Sequence, residues 1–192
     1  MRKSIKSVII VISVVLLLFF LVLAVAYSRR VYLKKAYPVK YSEFVEKYCT
    51  EYDLDPYFVY SVIRTESNFQ PNVKSSIGAR GLMQFTNDTF DWVKGRLKDK
   101  DATYDDMYNE EKAIEYGCYL LSYLKNNLGS NTNVLCGYHA GINITKNWLT
   151  NEAYSQNGEI IYDKIPYGDT KQYVNKVIST YKIYTELYSK GE

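Results

Sequence analysis

The chain has 192 residues, 47% of them hydrophobic, with 24 Lys and Arg against 21 Asp and Glu, a size that suits one globular domain of about 150 residues plus an appendage. Three basic residues precede an uncharged apolar segment and five (Arg29, Arg30, Lys34, Lys35, Lys40) follow it, so the remaining 16 meet 21 acidic residues that all lie beyond Lys40, a balance of about −5. That balance argues against nucleic acid as a partner, because phosphate backbones require a basic surface.

The apolar segment is Ser7 to Ser28, free of charge and rich in Val, Leu and Phe. As a helix rising about 1.5 Å per residue it crosses a hydrocarbon layer of about 30 Å. Residues 1–28 therefore read as an N-terminal transmembrane signal anchor and 29–40 as a basic juxtamembrane linker suited to anionic lipid head groups. Ala24-Val25-Ala26 also has the small-x-small form of a cleavage site, in which case the remainder is secreted. The basic residues after the span, taken alone, lean towards a cytoplasmic domain.

Beyond the linker, Ser42 is the expected cap of a helix bearing Phe44, Val45, Tyr48 and Tyr52. Asp55-Pro56 starts a second, since aspartate is a good N-cap and proline suits the first helical position. Val59, Val62, Ile63 and Glu66 share one face of it, placing a carboxylate where a core residue belongs. From Asn68 to Arg80 the chain turns to Asn, Pro, Ser and Gly, a structured loop. Helical pattern resumes at Leu82 and runs to about Leu97 with a break near Asn87, followed by a charged surface connection, Lys98 to Asp106.

Asn109 followed by two glutamates opens a long helix with Ile114, Cys118, Leu121 and Leu128 inward and Gly129 at its end. Short helices are expected over Val134–Ala140 and about Asn143–Leu149, the first closed by Gly141. After a polar connection, Gly168 or Asp169 caps a last helix with Val174, Val177, Ile178, Tyr181 and Tyr188 inward. The domain, 41–192, is thus mainly α with at most a small hairpin near Glu159–Tyr162. Cys49, Cys118 and Cys136 lack metal-type spacing and read as buried small hydrophobes, a Cys118–Cys136 bridge being the alternative.

The stretch ESNFQPNVKSSIGARGLMQ, residues 66–84, resembles the catalytic signature of the soluble lytic transglycosylase family (glycoside hydrolase family 23). YLLSYLKNNLG resembles that family's long helix. YHAG with the trailing Trp148-Leu149 resembles its Tyr-Asn-Ala-Gly motif, and IPYGDTKQYVNKV resembles its last motif. The resemblance covers about Tyr41 to Tyr188. It implies a lysozyme-like helical domain, and cleavage of the peptidoglycan β-1,4 bond between N-acetylmuramic acid and N-acetylglucosamine with formation of 1,6-anhydromuramic acid. Glu66 would act as general acid and then base, without metal or organic cofactor.

The residues themselves fit such chemistry. A carboxyl at the mouth of an apolar face loses hydration, which raises its pKa as a general acid at neutral pH requires. No second acidic residue occurs between Glu66 and Gln84, which suits neighbouring-group assistance by the substrate, although a partner carboxylate from elsewhere in the fold stays open. By position the resemblance also carries substrate contacts to Ser75, Met83, Gln84, Tyr138, His139 and Asp169, with the Tyr138 hydroxyl meeting the catalytic carboxylate. Each has a plainer reading: a turn serine, a core methionine, a solvated glutamine early in a helix, a packing tyrosine, a helix-capping aspartate. His139 stands where the family has asparagine and Asp169 where it usually has glutamate. The expected partners are peptidoglycan strands and, through the N-terminal helix, the cytoplasmic membrane, with a monomeric domain on its outer face. The rival readings are a hydrolytic muramidase on the same fold and a non-catalytic wall-binding component of an envelope-spanning complex.

Overall fold

The computed structural model describes residues 2–189, with side chains from residue 9 onward, and the chain divides after Pro38 into two units. The first is a single helix, α1 (Arg2–Ala36). Its stretch from Ile9 is long and apolar enough to cross a membrane. The helix does not stop where the apolar run stops: its 35 residues span about 52 Å, and it continues through Arg29, Arg30, Lys34 and Lys35. Arginine and lysine are good helix formers and no glycine or proline intervenes before Pro38, so most of the basic stretch is helical.

The second unit, residues 39–192, is mostly helical: α2 (Ser42–Tyr52), α3 (Pro56–Ser67), α4 (Asn87–Leu97), α5 (Glu110–Leu128), α6 (Asn131–Ala140), α7 (Ile142–Leu149) and α8 (Gly168–Tyr188). A hairpin of two-residue strands, β1 (Ser155–Gln156) and β2 (Glu159–Ile160), precedes α8, and the former charged connection contains a 3-10 turn, Tyr104–Tyr108. The long α5 lies at the centre of the packing: α2, α4 and α6 lean on it, while α8 packs along α3 and α6.

Most helix ends follow local chemistry. The Asp55 side chain accepts from Tyr57 N at 2.8 Å with Pro56 next to it. Asn109 caps α5 through Lys112 N at 2.9 Å, Ser130 caps α6, and Gly129 closes α5. Two caps differ from expectation. Tyr41, in the left-handed region at φ 57°, holds the cap position of α2, and its carbonyl takes Phe44 N and Val45 N, so Ser42 lies inside the first turn. Tyr167 holds the cap position of α8 and Asp169 sits within the first turn.

The larger correction concerns Leu82 to Phe85. Arg80 and Phe85 exchange backbone hydrogen bonds of 2.9 and 3.0 Å, and Gly81 and Gln84 both have positive φ (73° and 47°), so this stretch is a tight turn and α4 begins only after Thr86. Leu82, Met83 and Phe85 are buried nonetheless; their spacing reflects a turn tucked into the core, which short apolar runs cannot distinguish from a helix. On α8 the buried face is Tyr173, Val174, Val177, Thr180, Tyr184 and Leu187, with Ile178, Tyr181 and Tyr188 at its half-exposed edges. All three cysteines are buried and free, without the Cys118–Cys136 bridge.

Candidate active site

Glu66 occupies the last turn of α3, whose preceding residues Val59, Val62 and Ile63 are fully buried. Two contacts hold this helix end. Ser67, buried beside Glu66, donates its hydroxyl towards Leu82 O (2.9 Å) and Ile63 O (3.1 Å), tying α3 to the turn that follows. Asn68 and Phe69 then take left-handed conformations (φ 50° and 61°) and reverse the chain, with the Phe69 ring in the core against Tyr60.

The loop that faces Glu66 is closed on itself. Ser75 N donates to Ala79 O (2.9 Å), Ala79 N returns a bond to Ser75 Oγ (3.0 Å), and Gly78 N donates to Ser75 O (3.0 Å). Gly81 is required by space as well as by its φ: a Cβ there would lie 1.7 Å from the Met107 carbonyl oxygen. The Tyr104 hydroxyl lies 2.8 Å from the carbonyls of both Gly78 and Phe85, donating to one at a time, and the Arg80 guanidinium stacks 3.8 Å from the Tyr104 ring centroid while pairing with Asp105. The 3-10 turn thus braces the loop from behind.

Between this loop, α6 and the start of α8 lies a cavity of about 540 Å³. Of the seven residues expected at the site, six line it: Glu66, Ser75, Gln84, Tyr138, His139 and Asp169. Met83 does not; its side chain is fully buried, wedged against Gly117, where an added Cβ would come within 2.4 Å of the methionine Cε. Gln84, on its left-handed turn, gives its amide nitrogen to Gly81 O (3.0 Å) and Val73 O (3.3 Å), leaving the amide oxygen without a bond from the described residues.

Burial pushes the Glu66 carboxyl from its ordinary 4.5 up to about 7, against smaller opposing effects of the Tyr173 hydroxyl and the Lys176 ammonium. A carboxyl of this kind is half protonated near neutral pH and donates a proton readily. Asp169 also lines the cavity but stands exposed at its rim, accepting from Thr170 N at 2.8 Å, and it is not among the groups that perturb Glu66.

The tyrosine expected to meet Glu66 is committed elsewhere. The Tyr138 hydroxyl donates to Met83 O at 2.6 Å, so towards a carboxyl it has acceptor capacity only. Tyr138 still lines the cavity with Glu66 and feels its charge, which raises the tyrosine pKa after burial itself, and Tyr173 stands beside it. Its ring lies parallel to that of Tyr138 (centroids 6.4 Å apart, planes 4°), its hydroxyl is buried without a well-formed hydrogen bond, and the group it interacts with is the Glu66 carboxyl, which raises the Tyr173 pKa after burial itself. The signal for it was present, since Tyr173 lies inside the IPYGDTKQYVNKV stretch, but nothing local separates it from the other 20 tyrosines.

His139 sits over Tyr173, with ring centroids 4.7 Å apart, and pairs Nδ1 with Thr170 Oγ1 at 3.0 Å. Partial desolvation against its neighbours lowers its pKa, with Asp169 opposing, and the ring stands at the rim of the cavity.

Residues 43–161 match the family described as "Transglycosylase SLT domain". The chain belongs to that family. The SLT domain found here is 27% identical over 150 residues to the soluble lytic murein transglycosylase of Escherichia coli K12, covering 77% of this chain and 23% of that protein. It is likewise 27% identical to the membrane-bound lytic murein transglycosylase C of Pectobacterium atrosepticum, covering 76% of this chain and 46% of the relative. The chain spans about a quarter of the length of the first curated relatives it matches. Among solved structures, the 70 kDa soluble lytic transglycosylase of Escherichia coli superposes with a TM-score of 0.75 at 25% identity over 83% of this chain and 26% of that one. The SLT domain therefore has the lysozyme-like fold that the spaced motifs implied.

Proposed function

We propose that this chain is a membrane-anchored peptidoglycan lytic transglycosylase in which Glu66 is the single proton-transfer residue. The observation that carries the reading is the half-buried Glu66 carboxyl facing a cavity whose other carboxylate, Asp169, stands at the rim; desolvation pushes the Glu66 pKa up to about 7. Protonated Glu66 delivers its proton to the β-1,4 glycosidic oxygen between N-acetylmuramic acid and N-acetylglucosamine, and the bond from that oxygen to muramic C1 breaks. The muramic N-acetyl oxygen attacks C1 to give an oxazolinium-like species, the role that a second carboxylate plays in most retaining glycosidases. Ionised Glu66 then takes the proton of the muramic C6 hydroxyl as its oxygen closes on C1, yielding the 1,6-anhydro ring. The relatives' names as lytic murein transglycosylases support this reaction class.

Mass spectrometry of digested peptidoglycan tests it: anhydromuramic ends are expected, and reducing muramic ends would make the protein a muramidase that uses water. α1 anchors the domain, and the wall substrate places that domain on the outer face of the cytoplasmic membrane, against the lean of the basic residues that follow the span. Protease added to intact wall-less cells should degrade residues 39–192; protection until lysis would reverse the topology.

A further inference from the structure

About 20 residues suffice to cross a bilayer, yet α1 has 35 and runs on without a break through residues 29–36. Its end is firm. Tyr37 N still donates to Leu33 O at 2.7 Å, and Pro38, with no N–H to offer, stops the ladder. The folded domain then begins almost at once, because the Tyr41 carbonyl already caps α2 through Phe44 N and Val45 N. α2 holds no slack either: Val45, Tyr48 and Cys49 are buried, Lys47 pairs with Glu111 of α5 at 2.7 Å, and the Tyr48 hydroxyl donates to the same carboxylate at 3.1 Å. Residues 37–40 are thus the whole of the connection outside helix and domain.

These lengths set a ceiling on reach. As an extended chain, residues 29–40 would span about 41 Å; with 29–36 helical they rise about 12 Å, and 37–40 add at most about 14 Å. A domain of about 150 residues is about 40 Å across, so whatever its orientation no part of it lies further than about 65 Å from the end of the apolar span. Arg29, Arg30, Lys34 and Lys35 lie on the helical continuation, where attraction to anionic lipid draws it towards the surface and shortens the reach again.

We infer that the substrate of this chain is glycan held at the membrane itself: strands still joined to a lipid carrier, as a membrane-bound glycan-polymerising reaction delivers them, rather than wall material beyond that distance. The inference rests on the anchor and the reaction proposed above. Confining enzyme and strand to one surface raises the effective concentration of each for the other, and a short, stiff tether gives that gain only to strands within its reach. A long flexible linker would carry the cleft to both kinds of glycan.

The test places the full chain in liposomes. One substrate is glycan polymerised from lipid-linked disaccharide in the same liposomes, so that it stays lipid-linked; the other is insoluble wall fragments added outside. Each rate is divided by that of the same protein in detergent micelles on the same substrate, which removes any intrinsic preference. On this scale the lipid-linked strands should be cut about tenfold faster than the wall fragments. A flexible Gly/Ser insertion of about 60 residues between Lys40 and Tyr41, with an average span of about 43 Å, should bring the ratio below about threefold and leave the micelle rates unchanged. Equal scaled rates on the two substrates, or a tenfold ratio that survives the insertion, would overturn the inference while cleavage in micelles upholds the proposed reaction. Absence of cleavage in micelles would overturn the reaction and the inference together, and liposomes that float without the protein would overturn the anchor and the inference together.

Discussion

The inner wall of the cleft and its rim are built by different means. On the inner wall, half-buried Glu66 and Tyr138 and buried Ser67 and Tyr173 come from three helices, and two of them are tied to backbone carbonyls: Ser67 to Leu82 O, Tyr138 to Met83 O. At the rim, His139 and Asp169 are exposed, and their bonds run to one residue, Thr170, through its side chain and its backbone N–H. The inner wall has little freedom to move without leaving a buried polar group unpaired. The rim can change residue type at little cost, and two of this chain's departures from the family pattern, His139 and Asp169, lie there. On the proposed function, chemistry falls where the fold is over-determined and substrate selection where it is not.

The sharpest way to break this contrast is Glu66→Gln, which keeps the shape and removes the proton. Release of soluble fragments from peptidoglycan should fall by a factor of about 10³, within the usual range for a general acid; unchanged cleavage would place the chemistry elsewhere. The same substitution has a stability signature. Because the folded pKa is raised above the ordinary value, the native state holds its proton more tightly than the unfolded chain does, and stability drops as pH rises from 4.5 through about 7. Glu66→Gln removes that decline, so thermal unfolding at pH 8 should show the variant more stable by up to about 3 kcal/mol, with no gain at pH 4.

Tyr138→Phe leaves Met83 O without its donor. A loss of about 1–3 kcal/mol in urea unfolding is expected, with activity reduced because the turn bearing Gln84 loosens.

Tyr173→Phe sharpens the assignment within the inner wall. Its hydroxyl favours ionised Glu66, so deleting it raises the Glu66 pKa. The alkaline limb of the kcat/KM profile, along which activity falls as Glu66 ionises, should move to higher pH. A purely structural role for Tyr173 would lower the profile without moving it.

The smallest effects belong to the rim. His139→Asn and Asp169→Asn should each alter KM by about twofold, with kcat and Tm little changed, as surface substitutions usually do. A loss comparable to Glu66→Gln at either position would erase the distinction between wall and rim.

What the sequence by itself determined is what short-range physics controls. The apolar span, the Asp55-Pro56 start of α3, the Asn109 and Gly129 ends of α5, and the position of Glu66 on an apolar face all follow from neighbours within a turn or two. Spaced motifs added the family, because several weak matches in order constrain one another. The turn at Leu82–Phe85 was not legible, since apolar residues at close spacing look alike in a helix and in a buried turn. Nor was the destination of Met83, which depends on Gly117 some thirty residues later leaving room for it. The division of labour between Tyr138 and Tyr173, both of which feel the Glu66 charge, was decided by how α6 and α8 pack: the two rings stack, one hydroxyl finds a carbonyl, and the other is left facing the acid. Local sequence could place the acid, but only the packing of distant helices could desolvate it and select the hydroxyl that tunes it.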